Sequence, residues 1–344
     1  MIQSLFNIDL PLIQAPMAGV QNVELAASVC EAGGLGSLPC AMLSPAQLVE
    51  QLDLLTQKTD KPFNLNFFCH TVTDYTSQQK QQWHNMLTPY FTEYEIDPQS
   101  LTAGASRQPI NQAVVDIIAP YKPAVVSFHF GLPKHAIVAQ IKSWGTKVIS
   151  TATTLDEAIW LSKNGADAVI AQGLEAGGHR GHFLSMDLSL QQTTEQLVKR
   201  CVEHLSLPII AAGGIATPDD VKHMKALGAS GVQVGSAYLL CKEAKTSALH
   251  QQAILEQAQD STALTTLFSG RAARGIQNRV MLELGTMPEG VPSFPHASSA
   301  ITALRTCAEK AGQSDFSPLW CGQKYVPRVG VSAADITHIL MEKW

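Results

Sequence analysis

No cysteine in this 344-residue chain stands in a CxxC pair, no basic run is longer than two residues, and no apolar stretch approaches the length of a bilayer. Each absence removes a class of protein. The seven cysteines (Cys30, Cys40, Cys69, Cys201, Cys241, Cys307, Cys321) are odd in number and scattered, which argues against a disulfide framework or a structural zinc site. Charged residues make up only 15%, with 24 basic against 29 acidic, so no electrostatic footprint for nucleic acid is visible. No basic segment precedes an apolar one in Met1-Ile2-Gln3-Ser4-Leu5-Phe6, and the expectation is a cytoplasmic chain with reduced thiols and no membrane partner. What remains is 45% hydrophobic, which suits a well-packed globule and excludes disorder for the bulk. The length allows one large α/β domain or two smaller ones.

A short apolar or β-branched run, then Gly, Pro or Asn, then a longer amphipathic stretch, repeats as far as about position 240. This rhythm predicts βα units. Eight strands are expected: Pro11 to Ala15, Gly34 to Ser37, Phe63 to Phe68, Ala124 to Phe128, Lys147 to Ser150, Ala168 to Gln172, Pro208 to Ala212 and Gly231 to Val234. Runs such as Ala124-Val125-Val126-Ser127-Phe128 are apolar without alternation, as strands covered on both faces must be. Ser44-Pro45 and Thr217-Pro218-Asp219-Asp220 read as helix starts, and Asn164-Gly165 and Leu227-Gly228 as helix ends. The fold class expected is α/β, a TIM (β/α)8 barrel over 1–240; a doubly wound sheet is the alternative, although the first unit has no GxGxxG turn. Two stretches break the rhythm. Residues 71–120, rich in Gln and aromatics, predict an inserted helical segment after the third strand. Residues 241–344 predict a C-terminal extension, helical from Ala300 to Ala311, that packs on the barrel and covers its mouth or its side.

Barrels carry their chemistry at the carboxyl ends of the strands, so those loops are the place to look. After the first strand comes Gln14-Ala15-Pro16-Met17, a rigid apolar turn whose sulfur could lie against a flat aromatic ligand or simply pack. After the sixth comes Gln172-Gly173-Leu174-Glu175-Ala176-Gly177-Gly178-His179-Arg180-Gly181-His182, where glycines let the backbone approach a ligand and His179 can reach it. His179 and His182 lack a third metal ligand, so no metal is expected. Gly213-Gly214 after the seventh strand and Gln233-Val234-Gly235-Ser236 after the eighth stand where such barrels hold a phosphate. Asn66 offers a donor and an acceptor to a heterocycle edge; His129 could bind an anionic substrate or be a satisfied core histidine.

Taken together, Gln14-Ala15-Pro16-Met17, Gly33-Gly34-Leu35-Gly36-Ser37, Asn66-Phe67-Phe68, Ser127-Phe128-His129-Phe130-Gly131, Gly177-Gly178-His179-Arg180-Gly181, Ala212-Gly213-Gly214 and Asp315-Phe316-Ser317-Pro318-Leu319-Trp320-Cys321-Gly322-Gln323 resemble the nitronate monooxygenases, flavin-dependent enzymes on a TIM barrel. The resemblance implies FMN, its phosphate on Gly214 and the Gln233–Ser236 turn, with Ala15, Pro16, Met17, Asn66, Gln172, Gly177, Gly178 and Gly213 also toward the cofactor. Where the family commonly has Gly-Thr this chain has Gly235-Ser236, which keeps the hydroxyl. It further implies that His179 removes the proton α to a nitro group, and that His129 faces the substrate. The activity implied is oxidation of alkyl nitronates such as propionate 3-nitronate, and of nitroalkanes, by O2 to carbonyl compounds with nitrite or nitrate, in a monomer or homodimer. Two rivals are an FMN-dependent reductase using NADH or NADPH on an enoyl thioester or quinone, and a barrel that only binds a flavin or another phosphorylated ligand.

Overall fold

The computed structural model describes residues 1–101, 107–256 and 261–344; residues 102–106 of the expected insertion and 257–260 of the expected extension lie outside the described residues. The eight apolar runs form parallel strands β1 (Leu12–Gln14), β2 (Gly36–Pro39), β3 (Phe63–Phe68), β4 (Val125–His129), β5 (Lys147–Ala152), β6 (Ala168–Gln172), β8 (Ile209–Ala212) and β9 (Gly231–Val234). These are the expected eight, each displaced by no more than about two residues at an end. They neighbour one another in the order β1-β9-β8-β6-β5-β4-β3-β2, and the Ile13↔Leu35 bridge closes the circle. The protein is a TIM barrel. Along each strand, residues alternate between two apolar surroundings, which explains the unbroken apolar runs. Val125, Ile149, Ile170 and Ile210 point inward, while Val126, Val148, Val169 and Ile209 meet the outer helices.

Helix starts are where the sequence puts them. Ser44 caps Pro45–Lys58 with a reciprocal bond to Gln47, and Thr217 caps Pro218–Ala226 with one to Asp220. After Leu155–Lys163 and Pro218–Ala226, Gly165 (φ 102°) and Gly228 (φ 94°) take left-handed backbone that an L side chain would strain.

The helix at the start of the chain has no sequence forecast, and neither has the small sheet described below. Residues Ile2–Phe6 form a single short helix whose Ile2 and Phe6, with Ile8, plug the amino end of the barrel against Ile13, Ile149 and Ile210. A five-residue helix is too short to register as a period, so only its burial reveals it.

The outer layer departs from the expected boundaries at two places. Helix Gln112–Ile118, inside the stretch read as an insertion, packs beside Pro45–Lys58 and buries Val115 and Ile118 in the barrel wall. Helix Ala333–Met341, inside the stretch read as an extension, fills the wall between Val23–Glu31 and Pro218–Ala226. Its Thr337 hydroxyl lies 2.8 Å from the Tyr238 hydroxyl in the interior. The eighth outer helix therefore arrives long after its strand. What stands apart from the barrel wall is a satellite core: helix Ser77–Glu93 sets Trp83, Leu87 and Phe91 against helix Ser298–Lys310, with the Trp83 indole donating to Ala297 O at 3.1 Å. A small antiparallel sheet joins that part to the barrel mouth. In it β10 (Thr262–Thr265) pairs with β11 (Ala273–Ile276), and β11 with the two-residue β7 (Gly178–His179). Among the described residues no helix is long and apolar enough to cross a membrane.

Candidate active site

At the carboxyl end of the barrel lies a cavity of about 340 Å3. Every residue singled out from the sequence lines it: Ala15, Pro16 and Met17 after β1, Asn66 in β3, His129 ending β4, Gln172 ending β6, Gly177, Gly178 and His179 in the next loop, Gly213 and Gly214 after β8, and Gln233, Val234, Gly235 and Ser236 around the end of β9. They meet because parallel strands deliver all their carboxyl ends to one face.

The turn after β1 is braced from below. Buried Gln14 accepts from Ser37 N at 3.2 Å and from Gln21 Nε2 at 2.8 Å, while Gln21 Oε1 accepts Met17 N–H at 2.8 Å. Asn66 donates to Ser127 Oγ at 2.9 Å, which fixes the amide on the barrel wall.

The glycine loop is held still at one atom. His179 O accepts from Gln172 Nε2 at 3.0 Å and from His129 Nε2 at 3.1 Å, and Gln172 Oε1 accepts Gly181 N–H at 2.8 Å. Glycine is required nearby: a Cβ on Gly181 would stand 2.5 Å from Thr151 Cγ2 and 2.8 Å from His129 Cε1, and one on Gly177 would meet the Cys321 and Gly322 backbone at 2.6 Å. His129 Nδ1 lies 3.1 Å from the Thr151 hydroxyl. Both ring nitrogens of His129 are thus engaged, and Nε2, donating to a carbonyl, leaves Nδ1 to accept. A direct hydrogen bond from His129 to an anionic substrate, one of the two sequence readings of this residue, needs a nitrogen that this arrangement does not leave free. His129 instead positions the loop.

His179 faces a ring-lined wall. Its imidazole lies 5.7 Å from the Phe294 ring centroid, 5.5 Å from Trp320 and 6.2 Å from Phe130. Phe130 stands at φ 70°, sparsely populated for a bulky residue, and the Arg271 guanidinium lies 4.0 Å over its ring. Arg271 donates to His182 O, and Arg107, which lines the cavity, lies 6.0 Å over Phe294. Among the described residues neither arginine pairs with a carboxylate, and Arg107 Nη1 and Arg271 Nε are buried without a partner. Burial, then the Arg107 charge, holds the His179 imidazole well below its usual range. Burial likewise takes His129 and His182 to about 3, opposed for His129 by its bond to the His179 carbonyl. All three are neutral near pH 7. His182 is buried, with neither ring nitrogen hydrogen-bonded among the described residues. Among the described residues no cluster of three or more His, Cys, Asp or Glu side chains is placed to hold a metal ion.

The opposite end of the cavity is a cradle of small residues. Gly213 (φ 118°) and Gly214 (φ 67°) turn in conformations that suit glycine. Ser236 Oγ accepts Gly322 N–H at 2.9 Å, which leaves its own proton free to donate. Lys324 lines this cavity and is paired with Asp220, the carboxylate that bonds back to the Thr217 cap of the Pro218–Ala226 helix.

Arg107, Ser269, Arg271, Phe294 and Lys324 were not singled out from the sequence, and Trp320 stood there only within the tail motif of the resemblance, with no role at the site. All but Arg107 come from the stretch after β9, and none sits next to a barrel strand end. One signal was there to be used: Ser269-Gly270-Arg271-Ala272-Ala273-Arg274-Gly275 concentrates Gly and Arg in a chain with few charges.

Comparison with known proteins gives a consistent answer. A family model described as nitronate monooxygenase matches residues 1–343. The chain is 36% identical over 346 residues to a nitronate monooxygenase of Pseudomonas aeruginosa, covering 98% of this chain and 97% of that one. It is 36% identical over 335 residues to another of Paraburkholderia phytofirmans, covering 96% and 91%. Among solved structures it is similar to a nitroalkane oxidase from Streptomyces ansochromogenes, with a TM-score of 0.89, 32% identity and 99% and 97% coverage. FabK from Thermotoga maritima is similar at a TM-score of 0.73 and 25% identity, with 99% and 94% coverage.

Proposed function

Since the chain belongs to the nitronate monooxygenase family, a family of flavoenzymes, we propose that it binds FMN and oxidises alkyl nitronates, propionate 3-nitronate among them, and nitroalkanes, with O2 to carbonyl compounds and nitrite or nitrate. The observation that carries this reading is the pairing of a polar cradle with a neutral histidine in one cavity. The lining suits FMN. Gln233 Oε1 is buried without a partner among the described residues, an acceptor for a ring N–H. A Cβ on Gly235 would stand 3.3 Å from Ala15 Cβ and 3.5 Å from Met17 Sδ, so glycine keeps that wall open. The Ser236 hydroxyl and the N–H groups of Gly214 and Gly235 would hold the phosphate, with Lys324 supplying positive charge. Asn66, Gln172, Gly177, Gly178, Gly213, Val234, Pro16 and Met17 complete the bed.

When bound, the flavin supplies the electron acceptor and the partner for O2. The chain's own residues supply the rest. Phe68 and Trp320 wall the His179 side of the cavity with rings, and Phe294 packs behind Phe68 and His179, which limits water there. His179, uncharged at neutral pH, takes the proton α to the nitro group of a neutral nitroalkane. Arg107 and Arg271 oppose a charged imidazole, so His179 is a weak base, and a nitronate, which arrives deprotonated, is the easier substrate. The same two cations favour an anion in the cavity. Residues 241–344 act as the cover of the site, through Ser269, Arg271, Phe294 and Trp320.

The test is the anaerobic visible spectrum of the purified protein, with propionate 3-nitronate added to one sample and NADH to another. Bleaching of a yellow protein by the nitronate alone is expected. Bleaching by NADH with no response to the nitronate would assign a reductase, a reading to which the likeness to FabK lends weight. His179→Asn is expected to lower nitroalkane oxidation by about 10^2-fold or more while leaving nitronate turnover within about threefold. Equal loss of both would remove the assigned base.

A further inference from the structure

Ser269 lies on the connection between β10 and β11 and is 2% exposed. Its Oγ stands 2.8 Å from His179 Nε2, 3.3 Å from the Arg271 carbonyl oxygen and 3.4 Å from Arg271 N. A serine hydroxyl gives one proton and accepts two. A single assignment satisfies all three contacts: Oγ–H donates to Arg271 O, while Oγ accepts His179 Nε2–H and Arg271 N–H. If Ser269 donated to the ring instead, the Arg271 carbonyl would face an oxygen with no proton to offer. The satisfied arrangement protonates Nε2 and leaves Nδ1 with a bare lone pair. Nδ1 has no partner among the described residues, and the ring lines the cavity. The backbone beneath is fixed by the Ala273↔His179 pairing and by the two donors on His179 O. The imidazole is therefore held at both ends.

We propose that Ser269 is a positioning residue that keeps His179 in the Nε2–H tautomer, so that Nδ1 is the atom that takes the α proton of a neutral nitroalkane. This rests on His179 acting as the base, as proposed above. The step balances: the substrate C–H bond breaks, its electron pair passes into the nitronate, and the proton forms a bond to Nδ1. The resulting imidazolium keeps its Nε2–H bond to Oγ. A nitronate has no such proton to lose, so the tautomer matters for one substrate class and not for the other.

The experiment uses the purified flavin-loaded protein with 15N-labelled histidine, as wild type, Ser269→Ala, Ser269→Thr and His179→Asn. The His179 signals are those missing from His179→Asn. They are expected to report protonated Nε2 and bare Nδ1 in the wild type and Ser269→Thr, and a mixture in Ser269→Ala. With nitroethane, kcat/KM is expected to fall by about tenfold or more in Ser269→Ala and to return to within about threefold in Ser269→Thr, while ethylnitronate turnover stays within about twofold. A wild-type His179 protonated at Nδ1 overturns the proposal, whether or not Ser269→Ala folds. So does a parallel fall on nitroethane and ethylnitronate. If His179→Asn still oxidises nitroethane, the base reading fails, and the tautomer signals separate that failure from a wrong role for Ser269.

Discussion

The two ends of one barrel are built to opposite rules. At the amino end Ile13, Ile149 and Ile210 close on Ile2 and Phe6 in one buried apolar cluster. At the carboxyl end the barrel presents Asn66, His129, Gln172 and Gln233, and nearby stand a strained Phe130 and arginine nitrogens with no partner among the described residues. The lower end is packed with apolar side chains; the upper end is polar and lines a cavity. Stability and function are thus separated along each strand by a few residues.

The largest effect that would test this separation is at the plug. Ile210→Ala is expected to destabilise the protein by about 3 kcal/mol through the cavity it leaves, seen as a fall in thermal midpoint, with flavin content and turnover per folded molecule unchanged. Loss of activity without loss of stability would break the comparison. Next comes acid. His129 and His182 sit at about 3, and His70 and His250 at about 4, each lowered mainly by burial. With folded values below the unfolded 6.5, the unfolded chain takes up protons that the folded one refuses. Stability is therefore full above pH 6.5 and declines as pH falls from there toward 4 and 3, by at most about 1.4 kcal/mol per pH unit for each histidine. Denaturant titrations at stepped pH should show that slope, and a flat profile would mean these rings are solvated. The smallest effect is expected from His129→Leu, which removes one of two donors to His179 O at a cost of about 1 kcal/mol. Here nitroalkane oxidation should suffer more than the thermal midpoint, because the atom released carries the histidine loop.

Much of this division was legible beforehand, for a physical reason. Barrel strands buried on both faces leave unbroken apolar runs, and the loops after them need Gly213, Gly214 and Gly177 at fixed backbone positions, so composition and spacing both carry the message. Partners from afar leave no such trace. Ser269 meets His179 across 90 positions, and nothing local in Ser269 distinguishes a loop serine from one that orients a ring. His129 illustrates a subtler failure. Its place at the end of β4 was read correctly, but which of its nitrogens remain free depends on Thr151 and on a carbonyl 50 positions later. The outer helices Gln112–Ile118 and Ala333–Met341 were assigned to appendages because periodicity reports that a helix has an apolar face and not which surface receives it.

The late arrival of the eighth outer helix also has a bearing on how the chain folds. Ala333–Met341 seals a seam whose other bank, Val23–Glu31, was made about 300 residues earlier, and a closure that long is among the slowest contacts a chain of this size can form. Until it forms, Leu25 and Val29 lack part of the surface that buries them. On a ribosome, that seam cannot close until Ala333–Met341 has been synthesised.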